Sequence, residues 1–333
     1  MINIKKELQI IPTKTCKEYF NPAMVYIPVK NNSKFLCKAV VKGEIIEDKI
    51  VPVSGQIIAV AVDNKSNYLV IKNDFKEQNS NLKPILISIN CQILYVNCLN
   101  KDPLNNNAYH LLKRDFEKIN TAIHYLLDAN ISKVVFLVAS TEEEMIKKLN
   151  EITTDKINIQ IINDVYPLGY SSLLKKYLHL PANVQLISLD YLLQIYYSNI
   201  KHSFKTTHYI TCAGTALQES LVIELKNYTI LNDILPFLKF QTNDYTILLN
   251  NSLCGQEIDI KTVITNDIKT IIFNKKEVKR EEVCLNCGLC CRVCPWHINP
   301  LNNVKCPNCG LCNYVCPSKI NIKVIDKEVQ HDE

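Results

Sequence analysis

The sequence predicts a multidomain α/β protein, and three observations along its 333 residues support that prediction. The first part of the chain reads as short strands separated by turn residues. The middle alternates strand and helix patterns, which is typical of a parallel sheet covered by helices. Nine of the fifteen cysteines fall between residues 284 and 316. With 47% apolar residues, the chain has enough hydrophobic side chains to give each part a core.

The predicted amino-terminal unit covers residues 1–75 and consists of β-strands. In the stretch VVKGEIIEDKIVPVSGQIIAV, Gly43 and the pair Ser54-Gly55 mark turns between runs of β-branched residues. Pro28 and Pro52 interrupt similar runs. We therefore expect a compact barrel or sandwich of short strands that serves as a scaffold.

The next predicted unit is a parallel, Rossmann-like α/β domain over residues 84–200. ILYVN at 93–97 reads as a buried strand, and KVVFLVA at 133–139 and INIQII from residue 157 read as further strands. VQLIS and a helix around Leu192 continue the alternation. The helices between the strands are predicted from apolar residues at helical spacing, which are Leu112, Phe116, Ile119, Ile123, Leu126, Met145 and Leu149.

A small α+β unit is predicted over residues 205–275. Its strands lie near Tyr209, Leu221 and Thr246, and its helix lies near Leu235. The carboxyl-terminal unit, residues 280–325, is the part of the chain that carries the cysteine motifs.

Composition excludes several classes of protein. The net charge of +5 is scattered along the chain, which argues against a phosphate-binding face and thus against a nucleic-acid partner. The longest apolar stretch, residues 183–200, is interrupted by Asp190 and is too polar to span a membrane. The start, MINIKKELQI, lacks the features of a signal peptide, so we expect a cytoplasmic protein. Clustered thiols in that reducing compartment are more often ligands than disulfides.

The cysteines form a duplicated motif, C-x2-C-x2-C-x3-C-P. In the bacterial two-cluster arrangement, the first three cysteines of each motif hold one [4Fe-4S] cluster and the fourth crosses to the other. We therefore expect two [4Fe-4S] clusters with crossed ligation. The ligands of cluster 1 are predicted as Cys284, Cys287, Cys290 and Cys316, and those of cluster 2 as Cys306, Cys309, Cys312 and Cys294.

Structural zinc is the alternative, because each motif also contains C-x2-C pairs. Zinc does not explain the third cysteine, the Cys-Pro ending and the duplication together. Gly288 and Gly310 occupy equivalent places, where the backbone is expected to pass close to the cluster. Cys291 is a surplus thiol, and Trp296 and His297 are expected to pack beside the first motif. The other cysteines, Cys254 among them, have no ligand spacing and receive no role.

The order of these units resembles the RnfC-like family, the iron–sulfur subunits of the Rnf (Rsx) ion-translocating oxidoreductases. KGEIIEDKIVPVSGQI is similar to that family's barrel-sandwich segment, and VNCLNKDPL is similar to its post-strand N-G-A-E-C-E-P-Y. YPLG at 166–169 resembles the family's Y-P-x-G, and TCAGTAL at 211–217 resembles its V-T-V-x-G-x-A. The resemblance implies a barrel-sandwich hybrid-like first unit, a β-grasp-like third unit and a ferredoxin-like dicluster domain at the end of the chain.

The resemblance further implies FMN and NADH as cofactors of the α/β domain. The sequence departs from the family there: KEQNSNLKPILISI replaces a glycine-rich loop, Asn97-Cys98-Leu99-Asn100 replaces N-G-A-E, and NSLCG replaces G-G-P-M-M-G. Phosphate binding needs glycines that let backbone N–H groups approach the ligand. Glu142, Glu143 and Glu144 at the start of the helix after residue 140 would repel a phosphate.

Three functions follow as hypotheses. The leading one is an iron–sulfur electron-transfer subunit without its own hydride-transfer site. The second is a complete NADH- and FMN-dependent dehydrogenase subunit, and the third is a zinc-stabilised interaction protein. The resemblance implies subunits of a membrane-bound redox complex as partners, at the cytoplasmic face of the inner membrane. A soluble relay to a ferredoxin-like or reductase partner is the alternative.

Overall fold

The computed structural model describes residues 16–30, 35–63, 66–181, 184–276, 283–301, 306–320 and 322. The start of the chain, on which the expectation of no signal peptide rests, lies outside the described residues. So do parts of the predicted units 1–75 and 280–325. Within the described residues, the prediction of a mixed α/β protein with several sheets, one of them parallel, is confirmed.

The amino-terminal strands form an antiparallel sheet of order β2-β7-β6-β3 with a separate hairpin, β4-β5. Its interior is built from alternate side chains such as Val25, Ile27, Ile57 and Leu69, which are all fully buried. The strands β2 to β7 are Met24–Val29, Ala39–Val40, Ile45–Ile46, Lys49–Ile50, Gly55–Asp63 and Ser66–Asn73. A preceding strand, β1 (Cys16–Phe20), instead runs parallel to a strand about two hundred residues later, at Cys16↔Val222.

The second sheet is parallel throughout and has the order β10-β9-β8-β11. Its strands are β8 (Ile93–Asn97), β9 (Lys133–Ala139), β10 (Ile157–Ile162) and β11 (Gln185–Ser188). The predicted strands ILYVN, KVVFLVA and INIQII are therefore confirmed. In chain order, β10 lies beside β9, and β11 lies on the other side of β8. This strand order is typical of a doubly wound sheet.

Five α-helices accompany this sheet in the described part of the chain. Asp115 divides the first predicted helical stretch in two, and its buried carboxylate accepts hydrogen bonds from Lys118 Nζ at 2.5 Å and Tyr209 Oη at 3.0 Å. A π-helical turn, Tyr196–Ile200, follows the fifth helix. The helices are α1 (Asn107–Arg114), α2 (Phe116–Asp128), α3 (Glu143–Asn150), α4 (Ser171–Tyr177) and α5 (Leu189–Ile195).

The third sheet has six strands in the order β1-β13-β12-β18-β15-β16, with a separate pair β14-β17. The strands predicted near Tyr209, Leu221 and Thr246 are confirmed, and a 3-10 helix, Leu231–Phe237, lies where the helix was predicted. The strands are β12 (Thr207–Ala213), β13 (Leu221–Lys226), β14 (Thr229–Ile230), β15 (Tyr245–Leu249), β16 (Gln256–Ile258), β17 (Val263–Ile264) and β18 (Thr270–Lys275).

A polar segment after β8 joins the parallel sheet to the six-stranded sheet. Asn107 Nδ2 donates to the Tyr209 carbonyl at 2.9 Å, and its Oδ1 accepts from Thr211 Oγ1 at 2.7 Å. Asp102 accepts from the backbone N–H of Ser252 at 2.6 Å and from its hydroxyl at 2.9 Å. The bonds from Ser252 to Asp102 hold the loop at residues 251–255, and that loop lies against the second cysteine motif.

No helix among the described residues is long and apolar enough to cross a membrane.

Candidate metal centre

The two cysteine motifs have the same backbone conformation. Asn286 and Asn308, two residues after the first cysteine of each motif, have φ of 50° and 54°. Gly288 and Gly310, two residues further on, have φ of 70° and 76°. These left-handed conformations turn each motif sharply around its first three cysteines, and glycine adopts them without a Cβ clash. The sequence duplication is therefore also a structural duplication.

Each motif ends in a short helix capped by its fourth cysteine. α6 (Leu289–Val293) ends at Cys294 with φ −66° and ψ 116°, and α7 (Leu311–Val315) ends at Cys316 with φ −68° and ψ 117°. The extended conformation at both caps leads the chain out of its own motif, and the proline that follows prevents the helix from continuing.

Four of the eight motif cysteines line one cavity with about 390 Å³ of atom-free space. They are the ligand set predicted for cluster 2, three from the second motif and one from the first: Cys306, Cys309, Cys312 and Cys294. Trp296 also lines this cavity and packs edge-on against Tyr170, with ring centroids 5.6 Å apart.

The body of the protein holds the second motif through backbone carbonyls. Tyr166 Oη donates to the carbonyl of Cys309 at 2.5 Å, and Asn251 Nδ2 donates to the carbonyl of Asn308 at 2.9 Å. Tyr166 follows β10 of the parallel sheet, and Asn251 follows β15 of the six-stranded sheet. The cysteine loop therefore docks where the two sheets come together.

The loop at residues 251–255 is organised by the side chain of Asn251. Asn251 Oδ1 accepts from the backbone N–H of Leu253 at 2.8 Å and of Cys254 at 3.0 Å. A Cβ on Gly255 would lie 2.4 Å from the Asn251 carbonyl oxygen, so the turn needs glycine at this position. This turn directs Cys254 into the cavity of the second motif, where its Sγ donates to the Asn308 carbonyl at 3.1 Å.

Burial favours the protonated thiols of Cys309 and Cys312 in the metal-free chain. It raises the pKa of Cys309 to about 12 and that of Cys312 to about 11, and the neighbouring thiols add to the effect because adjacent thiolates repel one another. Hydrogen bonds from backbone N–H groups act in the opposite direction. Metal binding to these residues therefore releases protons.

The first motif is more open to solvent. Cys284 and Cys287 are exposed, whereas Cys290 is partly buried. The Arg292 guanidinium donates a hydrogen bond to the Cys287 carbonyl at 2.9 Å, so this contact lies within the first motif itself. Cys316, the fourth predicted ligand of cluster 1, is partly buried.

The chemistry of the cavity lining suits an iron–sulfur cluster, because cysteine thiolates are the ligands of such clusters. Across the described ranges, no three His, Cys, Asp or Glu side chains converge as the ligands of one metal ion. In both motifs a backbone N–H, that of Asn286 or Asn308, points at the first cysteine's Sγ at 3.4 Å. Hydrogen bonds of this kind would tune the reduction potential of a bound cluster. The ligation itself remains a prediction.

A second cavity, with about 440 Å³ of atom-free space, lies at the carboxyl ends of β8, β9 and β10. Ligands bind at this edge in doubly wound sheets. Its polar lining is acidic, with Asp102, Glu142 and Asp164. Burial raises the pKa of Asp102 above its ordinary value, while hydrogen bonds from Ser252 and from backbone N–H groups oppose the shift. We call this space the edge cavity.

The edge cavity and the cysteine cavity are separated by Tyr166. Its side chain lines the edge cavity, and its hydroxyl reaches the second motif. Gly169, in the same loop, packs so closely on the segment after β8 that a Cβ would lie 2.1 Å from the Asn100 carbonyl oxygen. Glycine at this position therefore allows the loop after β10 to pack closely against the loop after β8.

Sequence reasoning missed Cys254, Tyr166 and Asn251 as parts of the site. Cys254 lies thirty residues before the first motif and has no ligand spacing, so only the fold shows that it reaches the cavity. The one available signal was that NSLCG, which contains Cys254, replaces a glycine-rich segment of the resembling family. Tyr166 and Asn251 lie in the segments YPLG and NSLCG, but the hydrogen bonds that join them to backbone carbonyls of the second motif leave no sequence pattern.

The sequence matches no family model, and a search of the curated proteins finds no match. Two solved structures of an NAD+-reducing [NiFe]-hydrogenase are similar in part. The air-oxidized form gives a TM-score of 0.43 over 57% of this chain and 41% of the hydrogenase chain. The H2-reduced form gives 0.45 over 62% and 45%, and identity is 12% in both cases. This chain thus matches less than half the length of those chains, a likeness too distant to assign a fold or an activity.

Proposed function

We propose that the chain is an iron–sulfur electron-transfer subunit that resembles the RnfC-like subunits of Rnf-type complexes. In this proposal the eight motif cysteines hold two [4Fe-4S] clusters with crossed ligation. Such clusters, when bound, take up and release one electron at a time. The observation that carries the proposal is the cavity lined by Cys294 together with Cys306, Cys309 and Cys312. A fourth ligand from the other motif is the distinguishing feature of the two-cluster arrangement.

Metal analysis tests this proposal directly. Protein purified without oxygen should be brown and contain about eight irons and eight sulfides per chain. Stoichiometric zinc without iron or sulfide would overturn the proposal and favour the zinc-stabilised alternative.

We further propose that this chain does not transfer hydride itself. Entry of electrons from NADH would need a flavin, because a hydride carries two electrons and a cluster accepts one. Holding the flavin and nicotinamide phosphates needs glycines at which backbone N–H groups can approach them. Each glycine outside the cysteine motifs has another protein atom at 3.0 Å or less from the position of a Cβ, and these glycines are Gly43, Gly55, Gly169, Gly214 and Gly255.

The edge cavity supports the same view. It lies where the complete-dehydrogenase alternative would place its nucleotide, and this location is the one observation in favour of that alternative. Its carboxylates, among them Glu142 at the start of α3 and Asp164, would repel a phosphate at the place where the positive helix end would otherwise attract it.

Reduction experiments separate the two alternatives. Dithionite should bleach the visible absorbance of the clusters, whereas NADH with added FMN should leave it unchanged. Purified protein should also carry no stoichiometric FMN. Rapid bleaching by NADH would refute the loss of hydride chemistry and restore the dehydrogenase alternative.

Subunits of a membrane-bound redox complex are the partners proposed by resemblance, with the chain peripheral on the cytoplasmic face of the inner membrane. Purification from solubilised membranes with such subunits supports this assignment. Recovery from the soluble fraction with a ferredoxin-like or reductase partner supports the relay instead.

A further inference from the structure

Five cysteines line the cavity at the second motif, although a four-iron cluster takes four thiolate ligands. Four of these thiols are the predicted ligands of cluster 2. The fifth is Cys254, which belongs to the loop at residues 251–255 and to neither motif. A role for this thiol rests on the proposed function, because it requires a cluster in the cavity.

Cys254 lies beside Cys309 in particular. Its Sγ donates to the carbonyl of Asn308, the residue before Cys309, at 3.1 Å. The same sulfur would lie 3.1 Å from a Cβ placed on Gly310, the residue after Cys309. The thiol thus contacts the chain on both sides of one predicted ligand.

The position of Cys254 does not depend on the side chain of Cys309. Its loop is fixed by hydrogen bonds from backbone N–H groups to Asn251 Oδ1 and by the bonds between Ser252 and the buried Asp102. The polar contacts of the cysteine loop with the body include two bonds to its backbone carbonyls, from Tyr166 Oη and Asn251 Nδ2, and the buried side chain of Leu311 adds apolar packing. Loss of the Cys309 thiol would leave these contacts in place.

We propose that Cys254 is a reserve ligand of cluster 2 that replaces Cys309 at its iron. In the exchange, the Fe–S bond to Cys309 breaks and an Fe–S bond to Cys254 forms. The proton of the Cys254 thiol passes to the Cys309 thiolate. Iron and sulfide keep their oxidation states, so the exchange needs no oxidant or reductant.

The test compares iron content and EPR spectra of reduced proteins. Cys309→Ala should keep about eight irons per chain and the signals of two four-iron clusters, because Cys254 takes the vacant position. Cys254→Ala alone should also keep about eight irons. The double variant Cys309→Ala/Cys254→Ala should keep about four, from cluster 1 only.

The duplication supplies a matched control. Cys287 is the equivalent of Cys309 in the first motif, and Cys291 is the spare thiol there. Cys287→Ala combined with Cys291→Ala should therefore lose cluster 1 and keep about four irons.

A Cys309→Ala protein with about four irons would overturn the inference, whereas wild-type protein without iron would overturn the proposed function instead. If Cys309→Ala does not fold, Cys309→Ser decides, since it preserves the side-chain volume. Its EPR signals should change when Cys254→Ala is added. Identical spectra with and without Cys254 would also refute the inference.

Discussion

Gly310 and Gly288 form a natural pair for measuring how strongly the second motif docks on the body. Their φ angles are 76° and 70°, so an alanine at either position incurs the same left-handed strain, about 1–2 kcal/mol. Among the described residues, Gly310 faces protein and Gly288 does not. A Cβ on Gly310 would lie 2.6 Å from Leu253 Cβ and 3.1 Å from Cys254 Sγ, whereas a Cβ on Gly288 would meet no atom of the described residues within 4 Å.

We expect Gly310→Ala to destabilise the protein by about 1–3 kcal/mol more than Gly288→Ala, which is the usual cost of overpacking. Contact with the cluster core does not affect this comparison, because the two motifs are equivalent. Urea unfolding followed by the visible absorbance of the clusters measures both variants. Equal midpoints, or a lower midpoint for Gly288→Ala, would show that the second motif does not pack on the loop at residues 251–255.

Three further predictions concern single side chains. Cys294→Ala should abolish the EPR signal of cluster 2 and spare cluster 1, and the reverse loss would refute crossed ligation. Tyr166→Phe should cost about 1–3 kcal/mol by leaving the Cys309 carbonyl unpaired and should speed iron loss to a chelator, with a smaller effect for Tyr170→Phe, whose hydroxyl lies 3.4 Å from its acceptor. Burial lowers the pKa of His208 to about 3, helped by Lys269 and Lys205. The unfolded chain therefore binds the extra proton first, and stability should fall by about 2 kcal/mol from pH 7 to pH 5. Thermal unfolding of His208→Gln should show a flatter pH profile, and an unchanged profile would refute this assignment.

Local patterns predicted the strands well because their side chains are buried by the sheet itself. β8 and β9 begin and end at the predicted residues, since continuous apolar runs are needed wherever helices cover a parallel sheet. The break between α1 and α2 was missed. It depends on Asp115, whose partner Tyr209 lies in another sheet, and no local pattern reports so distant a hydrogen bond.

For the candidate metal centre, the sequence indicated the motif cysteines but not the residues of the body that contact them. Motif spacing grouped four of the five cysteines that line the cavity, because loops around a cluster impose a fixed spacing on their ligands. Their ligation stays a prediction. The parts of the body that receive the cysteine loop come from two different sheets. The contacts of Tyr166 and Asn251 with the second motif could therefore be recognised only in the folded structure. The sequence indicated the two segments that contain these residues only through their resemblance to family motifs.

Those two segments bear on the proposal that this chain does not transfer hydride itself. YPLG and NSLCG lie where the resembling family has Y-P-x-G and G-G-P-M-M-G. In this chain, Tyr166 of the first segment and Asn251 of the second bind backbone carbonyls of the second motif. Their glycines, Gly169 and Gly255, pack against the carbonyl oxygens of other loop residues. Docking of the cysteine loop thus accounts for what remains of both segments without a nucleotide. A variant that binds FMN after only the edge-cavity residues are changed would contradict this reasoning, because it would show that these segments still suit a flavin.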